Sequence, residues 1–513
     1  MGALFWFVII YWIISVAIGL YAATRVHNTK DFAIAGRHLP FYMVTATVFA
    51  TWFGSETVLG IPATFLKDGL GGVVADPFGA SMCLILVGLF FAAPLYRMNL
   101  LTIGDFYRKR FGRLTEFITT IAIVISYLGW VGAQITALGL VFNVVSGGEI
   151  SKLGGMIIGS TTILVYTFFG GMWAVAITDF LQMIIIVIGM LYIGDNVADM
   201  AGGVATVVNH AVAAGKFDFW PSANPAAILG FVAAWVTMMF GSIPQQDVFQ
   251  RVTSSRTEKI AIWATVLGGC LYFLFAFVPM FLAYSATLID NDLVERLIES
   301  DPQLILPTLV LEHAPLFAQV MFFGALLSAI KSCASATLLA PSVTFTENIL
   351  KPMLGSRLSD RRLLFWMRIV TLCFTVLVTL YAINSKASIF QMVENAYQVT
   401  LVSAFVPLVC GLYWRRATRQ GALMSIFLGL TTWIVLLQFG QEVIVPAQLA
   451  GLIASASGMI VGSLIPQLLH HEPHIHDQLR HGHRGHPAAT AGLAHEGIGH
   501  VHHQVAGHQR PNT

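Results

Sequence analysis

Ala50-Thr51-Trp52-Phe53-Gly54-Ser55-Glu56-Thr57-Val58-Leu59-Gly60-Ile61-Pro62 places a Phe-Gly-Ser interruption and a carboxylate inside the apolar run 41–65. Within lipid a backbone N–H or C=O without a partner is so costly that spanning segments are normally unbroken helices. The same tripeptide returns as Phe240-Gly241-Ser242, followed by Ile243-Pro244, inside the run 226–249. Breaks of this kind persist only where protein or a water-filled cavity surrounds them. There the freed carbonyls can coordinate a cation, and a half-helix N-terminus can face an anion. Paired breaks in two chain halves point to a secondary transporter with its site at the breaks. The first break offers Trp52, Gly54, Ser55 and Glu56, and the second offers Phe240, Ser242, Gln245 and Gln246.

Composition agrees with a membrane setting. Of 513 residues 56% are hydrophobic and 11% charged, against about 25% charged in ordinary soluble domains. Mean hydropathy is +0.75. About thirteen apolar runs reach the ~20 residues that a spanning helix needs. They are centred on 3–23, 41–65, 71–95, 116–143, 154–171, 173–194, 226–249, 259–285, 316–349, 363–384, 390–414, 420–438 and 446–466. An all-α polytopic protein is expected, with a leading helix over 1–24, a transporter core with trailing helices over 25–467, and a tail over 468–513.

Alternate connections hold roughly eighteen Lys and Arg against roughly five, and the positive-inside rule assigns the rich set to the cytoplasm. That set includes Arg25, Lys30, Arg37, Arg97, Arg108–Arg110, Arg251, Arg256, Lys259, Lys351 and Arg415. The N-terminus is therefore expected outside a cell (plasma or inner) membrane and the C-terminus inside. The first run has no basic residue before it, unlike a cleaved signal peptide, and reads as a retained helix. The stretch 102–112 mixes basic and aromatic residues as an interfacial anchor does, so a lipid bilayer and not nucleic acid is the expected partner. All five cysteines fall in apolar spans, with no spacing for disulfides or zinc. The acidic loop 286–314 reads as an amphipathic cap or, more sharply, as a vestibule that concentrates cations.

Twelve of the sixteen histidines lie in 470–513, among Gly, Ala and Gln. This composition reads as a disordered tail. The pairs His474/His476, His481/His483 and His502/His503 could bind Zn²⁺, Ni²⁺ or Cu²⁺ through imidazole nitrogen, or have only incidental affinity. Glu56 is different, because an intramembrane carboxylate must face protein or water. It is either part of a pathway or a helix–helix hydrogen bond.

Four segments in order resemble the sodium:solute symporter family. Asp31 to Pro40 followed by Ala50 to Pro62 is similar to that family's entry and first broken helix. Gly170 to Gln182, with Ala174-Val175 and Thr178-Asp179, is similar to its next signature. Gln246-Asp247-Val248-Phe249-Gln250-Arg251 follows the second break, and Ala329 to Asn348 is similar to its ninth span. The resemblance covers about 1–465. It implies a LeuT-type five-plus-five inverted repeat, with spans 41–194 and 226–414 as halves, and sodium-driven uptake of a small polar solute by alternating access. It implies no enzyme activity and no organic cofactor, in a monomer or weak oligomer.

The family's usual sodium site maps onto the carbonyls of Ala50 and Phe53 and onto Ala329, Ser332 and Cys333. Hard sodium prefers oxygen, which the Cys333 thiol does not supply. Lys331 stands where an apolar residue is usual, and Ser335 where a carboxylate is common. Helical spacing places Ser328, Lys331, Ser332 and Ser335 on one face. A lysine ammonium could take the place of the ion. Sodium symport and a sodium-independent or proton-coupled alternative with Lys331 as the ion surrogate both stand at this point.

Trp52 and Trp130 resemble the choline-transporting branch, and aromatic faces attract quaternary ammonium. That branch has a further Trp after the second break, where this chain has Gln245. Gln134, Gln245 and Gln246 could orient a carboxylate or hydroxylated solute. A transporter-like sensor is the remaining alternative, although no output domain is recognisable after the last span.

Overall fold

The structure, a computed structural model, describes residues 2–355, 357–440 and 443–470. His474, His476, His481, His483, His502 and His503 lie outside the described residues. Among those described, nine helices are long and apolar enough to cross a bilayer. Counting Pro225–Gly241 with Gln246–Ser254 and Ile389–Ser403 with Phe405–Tyr413 as bent spans raises this to eleven.

Two features separate this count from the thirteen expected runs. The run 41–65 is cut by its own break into Phe41–Trp52 and a helical stretch from Glu56, each short by itself. The runs 154–171 and 173–194 are joined in Lys152–Met200, whose 49 residues exceed a single crossing. Its Gly171 has φ 50° and ψ −137°, and a Cβ there would lie 2.5 Å from the Phe32 ring. Glycine alone suits this corner. Many buried hydroxyls, such as Thr237, Thr265 and Thr371, are satisfied by the carbonyl four residues back, which lets them sit in apolar spans.

The basic connections converge on one end of the bundle and lock it. The Leu39 N–H donates to the Ser254 carbonyl at 3.1 Å, and the Arg256 N–H to the Leu39 carbonyl at 2.9 Å. Arg97 pairs with Glu258 at 2.7 Å. Asn348 donates to Asp105 at 2.9 Å and Glu116 at 3.2 Å, and accepts from the Thr102 hydroxyl at 2.6 Å. Arg108 reaches Glu116 at 3.2 Å.

The opposite end holds an open vestibule of about 600 Å³, lined in part by Gly60, Asp68, Glu299, Asp301 and Glu394. The acidic loop folds as an amphipathic cap, and its Glu299 and Asp301 line the vestibule together with Lys67 and Lys386. Its helices Asn291–Leu297 and Ile305–His313 bury Leu293, Ile305 and Leu309, while Glu299 and Asp301 turn to the vestibule.

Candidate functional site

Helix Phe41–Trp52 stops at Phe53, whose φ −84° and ψ 79° are not helical. The Gly54 N–H turns back to the Trp52 carbonyl at 3.1 Å. The next N–H, that of Ser55, is taken by Gln134 Oε1 at 2.9 Å. Gln134 then uses its own Nε2 to donate to Glu56 Oε2 at 2.7 Å, and Trp130 Nε1 donates to Glu56 Oε1 at 3.4 Å. One amide thus satisfies both the donor freed by the break and the buried carboxylate beside it. The fit is tight: a Cβ on Gly54 would lie 2.7 Å from Glu56 Oε2 and 2.8 Å from the Cys333 side chain.

Aromatic rings surround this carboxylate. Trp52 meets Trp130 edge-on at 5.5 Å, stacks on Tyr397 at 6.3 Å, and meets Tyr272 at 6.5 Å. Trp130 lies 5.5 Å from Tyr397 and stacks on Tyr127 at 6.0 Å. A second carboxylate joins from the helix after the other break. Asp247 Oδ2 accepts from Trp52 Nε1 at 3.2 Å, and its Oδ1 accepts from the Tyr127 hydroxyl. Tyr272 donates to Asp76. The cluster therefore combines five ring side chains with Glu56, Asp247 and Asp76, all buried.

The second break divides its expected residues. Gln245 Nε2 donates to Ser126 Oγ at 3.0 Å and to Thr400 Oγ1 at 3.1 Å, one helical turn from Trp130 along the helix that carries both. Ser242 is buried at the break. Phe240 stacks on Phe405 at 4.9 Å. Gln246 accepts from the Ile103 N–H at 2.9 Å and so serves the locked basic end. The physical reason is the 43° bend, after which the restarted helix runs toward that end.

Of the five expected cation ligands, Ala50, Ala329 and Ser332 share hydrogen bonds. Ser332 Oγ donates to the Ala50 carbonyl at 2.7 Å and to the Ala329 carbonyl at 2.9 Å. The Ser332 hydroxyl thus ties the ninth-span helix to the end of the first half-helix, with oxygen atoms of the hard kind that sodium takes. Cys333 packs against Gly54 with a soft sulfur, and Phe53 stacks on Phe49 at 5.1 Å.

Lys331 is not part of this group. Its ammonium lies over the Trp12 ring at 5.3 Å and the Tyr166 ring at 4.8 Å, with no hydrogen-bond partner among the described residues. The expected polar face is split, because successive helical residues are turned by about 100°. Ser328 and Lys331 look toward the leading helix, and Ser332 toward Ala50. The cation that does reach the first broken helix is Arg251, donating to Thr51 Oγ1 at 2.9 Å and to the Asp247 carbonyl at 3.2 Å.

Sequence reasoning did not single out Asp247, Arg251, Asp179, Asp76, Tyr127, Tyr272 or Tyr397 for the site. The three aspartates carried a usable signal, since each is ionisable inside an apolar run. Arg251 follows the run 226–249 and reads with the cytoplasmic basic residues. It is buried because the helix restarted after the break carries it back to Thr51. Asp179, which accepts from Thr47 at 2.6 Å, even lies in a quoted motif. Tyr397 carried none. Its ring arrives from a distant span and stacks on Trp52 although Gln245 holds the position after the break.

Comparison with known proteins agrees with this geometry. The sodium:solute symporter family model matches residues 32–429. The human high affinity choline transporter 1 is 26% identical over 444 residues, covering 82% of this chain and 75% of that protein. The sodium/pantothenate symporter of Haemophilus influenzae is 24% identical over 446 residues, covering 84% and 90%. A solved Na⁺-coupled sialic acid symporter superposes with a TM-score of 0.76 at 18% identity, covering 90% of this chain and 98% of that one, and shares the fold. The chain belongs to the sodium:solute symporter family, as a multi-pass membrane transporter that couples solute uptake to sodium.

Proposed function

We propose that the cargo is a small organic cation, an amine or quaternary ammonium, held between Trp52, Trp130 and Tyr397 beside Glu56 and Asp247. One observation carries this reading. Four carboxylates (Glu56, Asp76, Asp179 and Asp247) are buried around the breaks, and Arg251 is the cation bonded among them. Buried charge must be compensated. A sodium ion and a cationic solute supply the missing positive charge, and ring faces recognise the solute without dehydrating a hydrogen-bonding group. The similarity to choline transporters supports the same class.

In this reading the residues act as follows. The Ala50 and Ala329 carbonyls and Ser332 hold sodium, which fixes the end of the helix that presents Trp52. Gln134 orients Glu56, and Trp130 Nε1 keeps its second oxygen turned to the rings. The vestibule admits the solute along Glu394, one turn from Tyr397. The tie of Leu39 to Ser254 and Arg256, with the Asn348 network, closes the other end and must open for release. The basic end is cytoplasmic, the N-terminus is outside, and 25–467 form the transport unit, with the tail dispensable.

The test is uptake into proteoliposomes under a sodium gradient. Quaternary and primary ammonium solutes are expected to enter, and neutral or carboxylate solutes of equal size to be excluded. Exclusive uptake of carboxylates would refute the cationic cargo. The same panel with sodium replaced by potassium tests the coupling.

A further inference from the structure

We propose that Trp12 and Tyr166 are positioning residues for sodium coupling: they hold the Lys331 ammonium in an aromatic cage, away from Ala50 and Ser332, so that the cation site stays open to sodium. The inference rests on the sodium-coupled reading above.

The geometry is specific. Lys331 sits in the middle of helix Leu316–Phe345 and is fully buried, so its stem does not reach water. Among the described residues no carboxylate pairs with it. Its ammonium instead faces two rings, Trp12 at 5.3 Å and Tyr166 at 4.8 Å. A desolvated ammonium gains most from such faces, and Trp is the strongest of them.

The cage itself is braced. Trp12 Nε1 donates to Thr162 Oγ1 at 3.0 Å, and its ring meets Phe142 edge-on at 5.6 Å. Tyr11, one residue earlier, bonds Ser328, one turn before Lys331. Gly19 lets the leading helix seat on the other wall, since a Cβ there would lie 2.8 Å from the Tyr166 ring. The leading helix thus supplies one wall of the cage and seats on the other.

The next residue on the lysine's helix, Ser332, belongs to the proposed cation site, so the cage walls decide whether the ammonium extends toward the leading helix or toward that site. Two positive charges near one oxygen set repel. Moving the ammonium from roughly 8 Å to roughly 4 Å at an effective dielectric near 20 weakens sodium binding by about thirtyfold. Removing a wall of the cage frees that movement.

The experiment measures the sodium concentration that half-saturates uptake, and sodium-dependent thermal stabilisation of the purified protein. Trp12→Leu is expected to raise half-saturating sodium at least about tenfold. Trp12→Phe keeps a ring and should stay near wild type. Lys331→Met alone should lower half-saturating sodium, since the caged ammonium still repels the ion, and Trp12→Leu with Lys331→Met should match Lys331→Met, which a mere packing defect would not do. Tyr166→Leu, alone and with Lys331→Met, repeats the cycle from the other wall and serves where Trp12→Leu does not fold. A double variant as weak as its cage-wall parent, or a Trp12→Leu protein with wild-type sodium affinity, overturns the proposal while leaving sodium coupling intact. A wild type indifferent to sodium overturns both.

Discussion

Glu56→Gln isolates the charge of the central carboxylate from its shape. A glutamine there still presents an oxygen to Gln134 Nε2, which lies 2.7 Å away, so the arrangement that satisfies the Ser55 N–H is kept. What disappears is the negative charge beside the Trp52, Trp130 and Tyr397 rings. For a cationic solute at roughly 4 Å and an effective dielectric near 20, that charge is worth about 4 kcal/mol, or roughly a thousandfold in affinity. The rings still contribute about 0.5–2 kcal/mol each and Asp247 remains, so a loss of one hundred- to one thousandfold is expected. Stability should change little, because removal of a buried charge that has no partner charge offsets the weak Trp130 Nε1 hydrogen bond that the glutamine NH2 cannot accept. The assay is uptake of choline and of its uncharged tert-butyl analogue by the same reconstituted protein. The variant should lose choline affinity and leave the weak handling of the neutral analogue unchanged. Wild-type choline affinity in Glu56→Gln, or equal losses for both solutes, would refute the electrostatic role.

Four further outcomes are expected. Cys333→Ser exchanges a soft sulfur for a hard oxygen of similar size beside Gly54, and should lower half-saturating sodium by several-fold. Gly54→Ala forces a methyl to 2.7 Å from Glu56 Oε2 and should abolish uptake in protein that still inserts, as flux and surface labelling together will show. Tyr397→Leu should weaken a quaternary ammonium solute by about 0.5–2 kcal/mol, that is a few- to thirtyfold, in competition uptake, and Tyr397→Phe much less. On the vestibule side, hydrogen bonds from His313 and from the Leu293 N–H hold the Asp290 carboxyl below its usual range. This tie is complete above about pH 3.9 and is lost as pH falls through the lowered value, so amide exchange across 290–314 should rise only there.

Much of the fold was readable because hydrocarbon enforces simple rules. Apolar runs of spanning length, the paired Phe-Gly-Ser breaks and the alternating basic connections each report a strong one-dimensional constraint. Glu56 and Trp52 stood out for the same reason, since polar and indole groups at a mid-span break need partners, whereas Trp130 was marked by the family resemblance and Gln134 by its amide alone. Lys331 was misplaced on the cation face because a spacing of three or four residues says which side chains are neighbours, not which helix each one meets. Its partners come from the leading helix and from 152–200, some 160 or more residues away. Tyr397 and Asp247 complete the ring cluster through contacts between distant spans, and such contacts leave no local pattern. Phe240, just before the break, packs on Phe405 instead, and Gln246, just after it, is turned by the bend toward the basic end.

The most direct test of the account is the initial rate of labelled choline uptake into proteoliposomes, with an inward sodium gradient and with potassium in its place. The account predicts saturable uptake that collapses without sodium and is competed by other small ammonium solutes, but not by pantothenate or proline. Sodium-driven uptake of a carboxylate solute with no ammonium competition would contradict it.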